Sequence, residues 1–277
     1  MPRFTTDDGL SLHFEDDGGG LPLLCLAGLA RNSRDFEPLM ENFANRVRII
    51  RIDARGRGDS DYDPDYQNYN VIREGSDAIA LLDHLGLEQA AVLGTSRGGL
   101  IAMTLAIGHA KRLLGVMLND VGPVIETAGL AYIMDYIGKR PADRDYDSAA
   151  ERLERVMPPV FTGVSRAEWR RYAERLWVEK PGGLDNRYDA ALRRAVLEQS
   201  ASGAAPDLWP MFNAVAKLPH GLIRGANSNI LSAKTAAEMQ SEAPGMVYAE
   251  VPGRGHVPFL NEPEAISALN TWMEQMQ

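Results

Sequence analysis

The sequence predicts an α/β fold: a mostly parallel sheet flanked by helices, with a helical cap inserted after one strand. Three observations predict it. Short apolar runs of strand length alternate with helix-spaced segments, which implies a parallel sheet covered on both faces. Residues 124–210 break that alternation and show amphipathic helical segments interrupted at Pro141, Pro158-Pro159 and Pro181-Gly182-Gly183. Residues 90–101 set Gly94-Thr95-Ser96-Arg97-Gly98 between an apolar run and a helix-like run. The expected organisation is a core of residues 1–122 and 211–277 around a cap of residues 123–210.

In chain order, residues 3–6 and 10–15 read as an opening hairpin around Asp7-Asp8-Gly9. Asp16-Asp17-Gly18-Gly19-Gly20 reads as a flexible link. Leu21–Leu26 is a short apolar strand ending in Ala27-Gly28-Leu29. A helix is expected over 35–45, then a strand over Val47–Ile52 that runs into Asp53-Ala54-Arg55-Gly56-Arg57-Gly58-Asp59-Ser60. Arg57-Gly58-Asp59 matches an adhesion tripeptide and is read as part of a glycine-rich turn. Asp53, Arg55 and Asp59 are read as turn-forming and salt-bridging. Val71, Ile72, Ala78, Ile79, Leu82 and Leu85 fall at helical spacing. The strand before Ser96 follows, then a helix to about residue 110. Leu114–Leu118 leads into Asn119-Asp120-Val121-Gly122-Pro123. Past the inserted block, strands resume at Leu222-Ile223 and Met246–Val251, each before a Gly-containing loop and a helix. The last helix opens near Pro263, where proline suits the first turn.

Bulk properties exclude several function classes. A chain of 277 residues holds one well-buried core with room for an inserted subdomain. Apolar residues make up 45% and charged residues 24%, as in soluble globular proteins. A net charge of −9 argues against nucleic acid or an anionic membrane as partner. Cys25 is the only cysteine, so an intrachain disulfide or a cysteine-based metal site has no material. No apolar stretch approaches the about 18 residues of a membrane span, and Met1–Gly9 holds no signal-peptide core, so a cytoplasmic chain is expected. Neither a His-Glu-x-x-His motif nor a dinucleotide-type glycine pattern after the first strand is present, so no cofactor or metal is expected. The expected partner is a small-molecule substrate; monomer and homo-oligomer both stay open.

Chemistry is expected at the sheet's carboxyl edge, where ligands bind in such folds. Glycines two before and two after Ser96 let a sharp strand-to-helix turn hold that serine in strained φ/ψ with its side chain pushed out: a nucleophile elbow. A serine hydroxyl needs a base to take its proton. Of five histidines, His256 sits in the loop after the last strand, at the edge to which Ser96 belongs. His13, His84 and His109 lie in or near elements away from that edge, and His220 precedes a strand, so all four read as structural. Charge developing on an attacked carbonyl calls for fixed N–H donors. The backbone N–H of Arg97, at a helix start, and of Leu29, in the loop that Gly28 lets approach closely, are the candidates.

The chain resembles the α/β-hydrolase fold family, in the group of 3-oxoadipate enol-lactonases, carboxylesterases and meta-cleavage-product C–C hydrolases. The matching residues run its whole length: Ala27-Gly28-Leu29, Asp53-x-Arg55-Gly56-x-Gly58-x-Ser60, Gly94-Thr95-Ser96-Arg97-Gly98-Gly99, Arg224-Gly225-x-x-Ser228-x-Ile230-Leu231 and Gly255-His256-x-Pro258-x-Leu260-x-Glu262-Pro263. The resemblance implies a Ser–His–acid triad, with the acid where this chain has Asn229. Three readings follow. Asp120, at the end of the preceding core strand, is the working acid, as in certain haloalkane dehalogenases and lipases. Alternatively, Asn229 is an engineered replacement of a natural Asp. Or the acid has been lost in nature.

The expectation is a serine hydrolase acting on an ester, lactone or related carbonyl through an acyl-enzyme. C–C bond hydrolysis, acyl transfer and a catalytically impaired ligand binder are the alternatives. Tyr132, Met134, Tyr136, Trp169, Tyr172 and Trp177 suit a small, partly apolar acyl compound, and equally suit the core of the cap.

Overall fold

In a computed structural model, which describes residues 1–201 and 206–276, the chain opens with β1 (Arg3–Thr5) paired antiparallel to β2 (Ser11–Gly18). β3 (Leu21–Leu26) follows, then a 3-10 turn over Ser33–Phe36 running into α1 (Glu37–Phe43). β4 (Val47–Ile52), α2 (Val71–His84), β5 (Ala90–Thr95), α3 (Arg97–Gly108) and β6 (Leu113–Asn119) complete the first part. Asn70 caps α2 by accepting the Arg73 N–H, which satisfies one of the helix's orphan donors.

The run read as a flexible link is shorter than expected. Asp16, Asp17 and Gly18 belong to β2 and pair with Ile50, Ile49 and Arg48 of β4. Asp16 holds Arg48 at 2.7 Å and Asp17 holds Arg51 at 2.5 Å, so cross-strand charge pairing offsets the poor strand propensity of Asp.

The inserted stretch carries α4 (Thr127–Tyr136), α5 (Tyr146–Val156) and α6 (Arg166–Leu176). Then comes a feature the helical reading missed, an antiparallel hairpin of β7 (Trp177–Lys180) and β8 (Gly183–Asn186). Pro181-Gly182 is its two-residue turn, with Gly182 at φ +94°. Each arm is four residues long and only partly buried, too short to show a buried-strand run. α7 (Leu192–Ala201) follows. The chain rejoins the core at α8 (Trp209–Val215), continues through β9 (His220–Gly225), α9 (Ala233–Glu242) and β10 (Val247–Val251), and ends in α10 (Pro263–Glu274).

Eight strands form one sheet in the order β1-β2-β4-β3-β5-β6-β9-β10. From β4 through β10 every neighbouring pair is parallel. Two apolar layers flank it. One holds Leu24, Val92, Ile101, Leu105 and Phe212, and the other Phe36, Phe43, Leu93, Leu269 and Trp272. Trp209, within the span expected to be cap, packs with Phe212 against the first of these layers. The inserted stretch has its own apolar cluster around Trp169, Phe161 and Leu184, and Phe259 of the loop after β10 packs into it.

Candidate functional site

The sheet order puts β3, β5, β6, β9 and β10 side by side, so the loops leaving their carboxyl ends share one rim. Ser96 sits between β5 and α3 at φ 53° and ψ −116°, a backbone region L-residues rarely occupy. The packing around it explains its glycines. A Cβ on Gly98 would lie 2.0 Å from the Leu26 carbonyl oxygen, and one on Gly94 would lie 2.5 Å from that of Gly98.

His256 Nε2 lies 2.8 Å from Ser96 Oγ, and His256 Nδ1 lies 2.7 Å from Asp120 Oδ2. An ionised carboxylate only accepts, so the hydrogen-bond pattern assigns the ring proton to Nδ1 and leaves Nε2 to accept from the serine hydroxyl. Asp120 stands just past β6, fully buried, at φ 58°. Its Oδ1 accepts the Gly225 N–H at 2.9 Å, and its Oδ2 accepts the Ser228 hydroxyl at 2.7 Å. The carboxylate is thus held from β9 and its following loop while it meets the histidine from the loop after β10.

Asn229 is exposed, and it is Asp120 that bonds the His256 ring. The structure therefore brings Ser96, His256 and Asp120 together and leaves Asn229 outside. Sequence reasoning missed Ser228 and the Gly225 N–H, because their role depends on which strand neighbours β6.

Gly28 brings the loop after β3 against the nucleophile, since a Cβ there would be 3.8 Å from Ser96 Cβ. The N–H groups of Leu29 and Arg97 donate no backbone hydrogen bond among the described residues. The Leu29 carbonyl accepts Arg57 Nε at 2.9 Å. The Arg97 guanidinium pairs with Glu74 at 2.8 Å.

The aromatic candidates separate. Trp169 is 2% exposed and Trp177 8%, both in the inserted stretch's own cluster. Trp169 meets Phe161, Tyr172 and Phe259 edge-on, so it and Trp177 pack the interior rather than face a ligand. Tyr132 (56% exposed) and Tyr136 (48%) are an edge-to-face pair on α4. Met134 packs with Leu29 against Tyr69, Ile137, Tyr188 and Leu192.

Donor atoms of His13, Asp53 and Asp59 gather within 4.8 Å of one another. Both Asp53 oxygens already accept backbone N–H groups, from Ser33 and Asp59, and His13 is engaged by the Pro2 carbonyl and Glu15. The group reads as a structural knot under the turn after β4.

Residues 23–269 match the model of the alpha/beta hydrolase family. The chain belongs to that family. Its α/β-hydrolase architecture is matched by the crystal structure of an alpha/beta hydrolase from Novosphingobium aromaticivorans, with a TM-score of 0.91, 39% identity, and 99% and 97% of the two chains covered. The 3-hydroxybutyrate-oligomer hydrolase of Cupriavidus necator is 31% identical over 88% of this chain and 85% of its own. The 2-(acetamidomethylene)succinate hydrolase of Mesorhizobium japonicum is 27% identical over 91% and 87%. This α/β-hydrolase is accordingly an enzyme of hydrolase type. No helix among its described residues is long and apolar enough to cross a membrane.

Proposed function

We propose that this α/β-hydrolase is a serine ester hydrolase that works through an acyl-enzyme on a small, partly apolar substrate. The observation that carries the reading is the unbroken line of hydrogen bonds from Ser96 through His256 to Asp120. Ser96 Oγ attacks the carbonyl carbon and passes its proton to His256 Nε2. Asp120 holds the imidazole through Nδ1–H and stabilises the imidazolium. The N–H groups of Leu29 and Arg97 receive the oxyanion, with the dipole of α3 adding to the second. The imidazolium then protonates the leaving alkoxide as the tetrahedral adduct collapses. Water, deprotonated by His256, releases the acid and restores the serine.

Residues 123–210 act as a cap over the rim, and Tyr132, Met134 and Tyr136 face the acyl group. The likeness to the 3-hydroxybutyrate-oligomer hydrolase supports an ester of a short hydroxy acid. The engagement of Asp120 with His256 disfavours a disabled enzyme, because the exposed Asn229 then replaces nothing that the reaction uses.

The test is turnover of p-nitrophenyl esters and of a 3-hydroxybutyrate dimer by the wild type and by Ser96→Ala. Hydrolysis that disappears with the hydroxyl supports the reading. Folded wild type without ester turnover, or turnover that survives in Ser96→Ala, contradicts it. Product analysis on lactones and vinylogous diketones separates lactonase and C–C cleavage from ester hydrolysis.

A further inference from the structure

We propose that Glu74, joined to Arg57 and Arg97, is a positioning residue that fixes the two oxyanion donors relative to each other. The inference rests on Leu29 and Arg97 being those donors. They belong to separate elements, the loop after β3 and the first turn of α3. The ladder between β3 and β5 ends at Leu26 opposite Gly94, before either donor is reached. A buried side-chain path spans the gap. The Leu29 carbonyl accepts Arg57 Nε at 2.9 Å, and Arg57 Nη1 lies 2.9 Å from Glu74 Oε1. Glu74 in turn accepts Arg97 Nε at 2.8 Å and Arg97 Nη2 at 2.9 Å, a two-pronged pair. One carboxylate on α2 thereby ties the residue that supplies one donor to the residue that supplies the other.

Both Arg57 and Glu74 are buried, where charge-assisted hydrogen bonds are strong and geometrically strict. The Arg97 guanidinium also donates to the Tyr69 carbonyl at 3.0 Å, and Arg57 Nη1 donates to the Arg55 carbonyl at 2.6 Å, so neither arginine can swing. Arg57 Nη2 is buried with no hydrogen-bond partner among the described residues. Preset donors are what make an oxyanion site effective, and a misplacement of about 1 Å can cost about a hundredfold in rate.

The experiment compares the full-length wild type, Glu74→Gln and Arg97→Gln. Read-outs are kcat and KM on a p-nitrophenyl ester, inhibition by an alkylboronic acid, inhibition by the trigonal amide analogue of the ester, and Tm. The boronate mimics the tetrahedral oxyanion; the amide mimics the ground state. The expected result is kcat lower by roughly ten- to a hundredfold. Boronate inhibition should weaken by the same factor, with KM and amide inhibition unchanged. A role in stability alone moves Tm and spares the split between the two inhibitors. Should Glu74→Gln leave two unpaired arginines and fail to fold, Arg97→Gln decides, since it keeps the Arg57–Glu74 pair and the backbone N–H of position 97. Folded Arg97→Gln with wild-type kcat and boronate affinity overturns the clamp. A wild type that boronate does not inhibit overturns the donor assignment itself, and the clamp with it.

Discussion

Ser228 donates its hydroxyl to Asp120 at 2.7 Å, on the same oxygen that meets His256 Nδ1. The other oxygen takes the Gly225 N–H. With both oxygens engaged, the carboxylate has one orientation available, and that orientation faces the imidazole. Removing the Ser228 hydroxyl leaves the charge in place and frees its direction. A hydrogen bond to a charged group contributes about 1.5–3 kcal/mol, so Ser228→Ala is expected to lower kcat by roughly ten- to a hundredfold with KM unchanged. Steady-state kinetics on one ester checks it; a KM effect without a kcat effect would point to substrate contact instead.

Asp120 and Asn229 make opposite predictions. Asp120→Asn should cost about 10⁴ in turnover, the scale known for the analogous change in a serine protease. Asn229→Asp should leave turnover unchanged, because the exposed side chain is not the partner of His256. A large gain in Asn229→Asp would assign the acid to the loop after β9 and remove Asp120 from the account.

Glu74 gives a pH prediction. Burial acts to raise its pKa, but the charges of Arg57 and Arg97 win and hold it below its ordinary value of 4.5. A carboxylate lowered in the folded state contributes its stability in full above pH 4.5 and loses it as pH falls through the folded value. Wild-type stability should therefore drop below pH 4.5, and Glu74→Gln should be less stable at neutral pH but lose less on acidification. Urea titrations at pH 7 and at successively lower pH below 4.5 measure the difference. Equal acid sensitivity in both proteins would mean the ion cluster does not titrate with folding.

Trp169 tests the interior of the inserted stretch. Truncating a buried tryptophan typically costs about 3–5 kcal/mol. Trp169→Ala should lower Tm, while enzyme that remains folded keeps its KM, since the ring faces Phe161, Tyr172 and Phe259. A selective rise in KM at unchanged Tm would put Trp169 at the ligand.

The frame was legible in the sequence because strand runs, helix spacing and the Ser96 turn are local signals. The pairing of Ser96 with His256 was legible too, since both loops leave carboxyl ends of strands. The choice between Asp120 and Asn229 was not, because it turns on β9 lying beside β6 and carrying Gly225 and Ser228 to Asp120. The hairpin at 177–186 escaped because its arms are short and only partly buried. Glu74 left a signal that went unread: it stands between Val71 and Ala78 on the apolar stripe of α2, where a buried carboxylate requires cations.

The most direct measurement is labelling with a fluorophosphonate, followed by intact mass and peptide mapping. A serine activated by His256 should take one adduct, on Ser96, at a rate that falls sharply in Asp120→Asn. Folded protein that stays unlabelled, or carries its adduct on another residue, would contradict the catalytic assignment and leave only the fold.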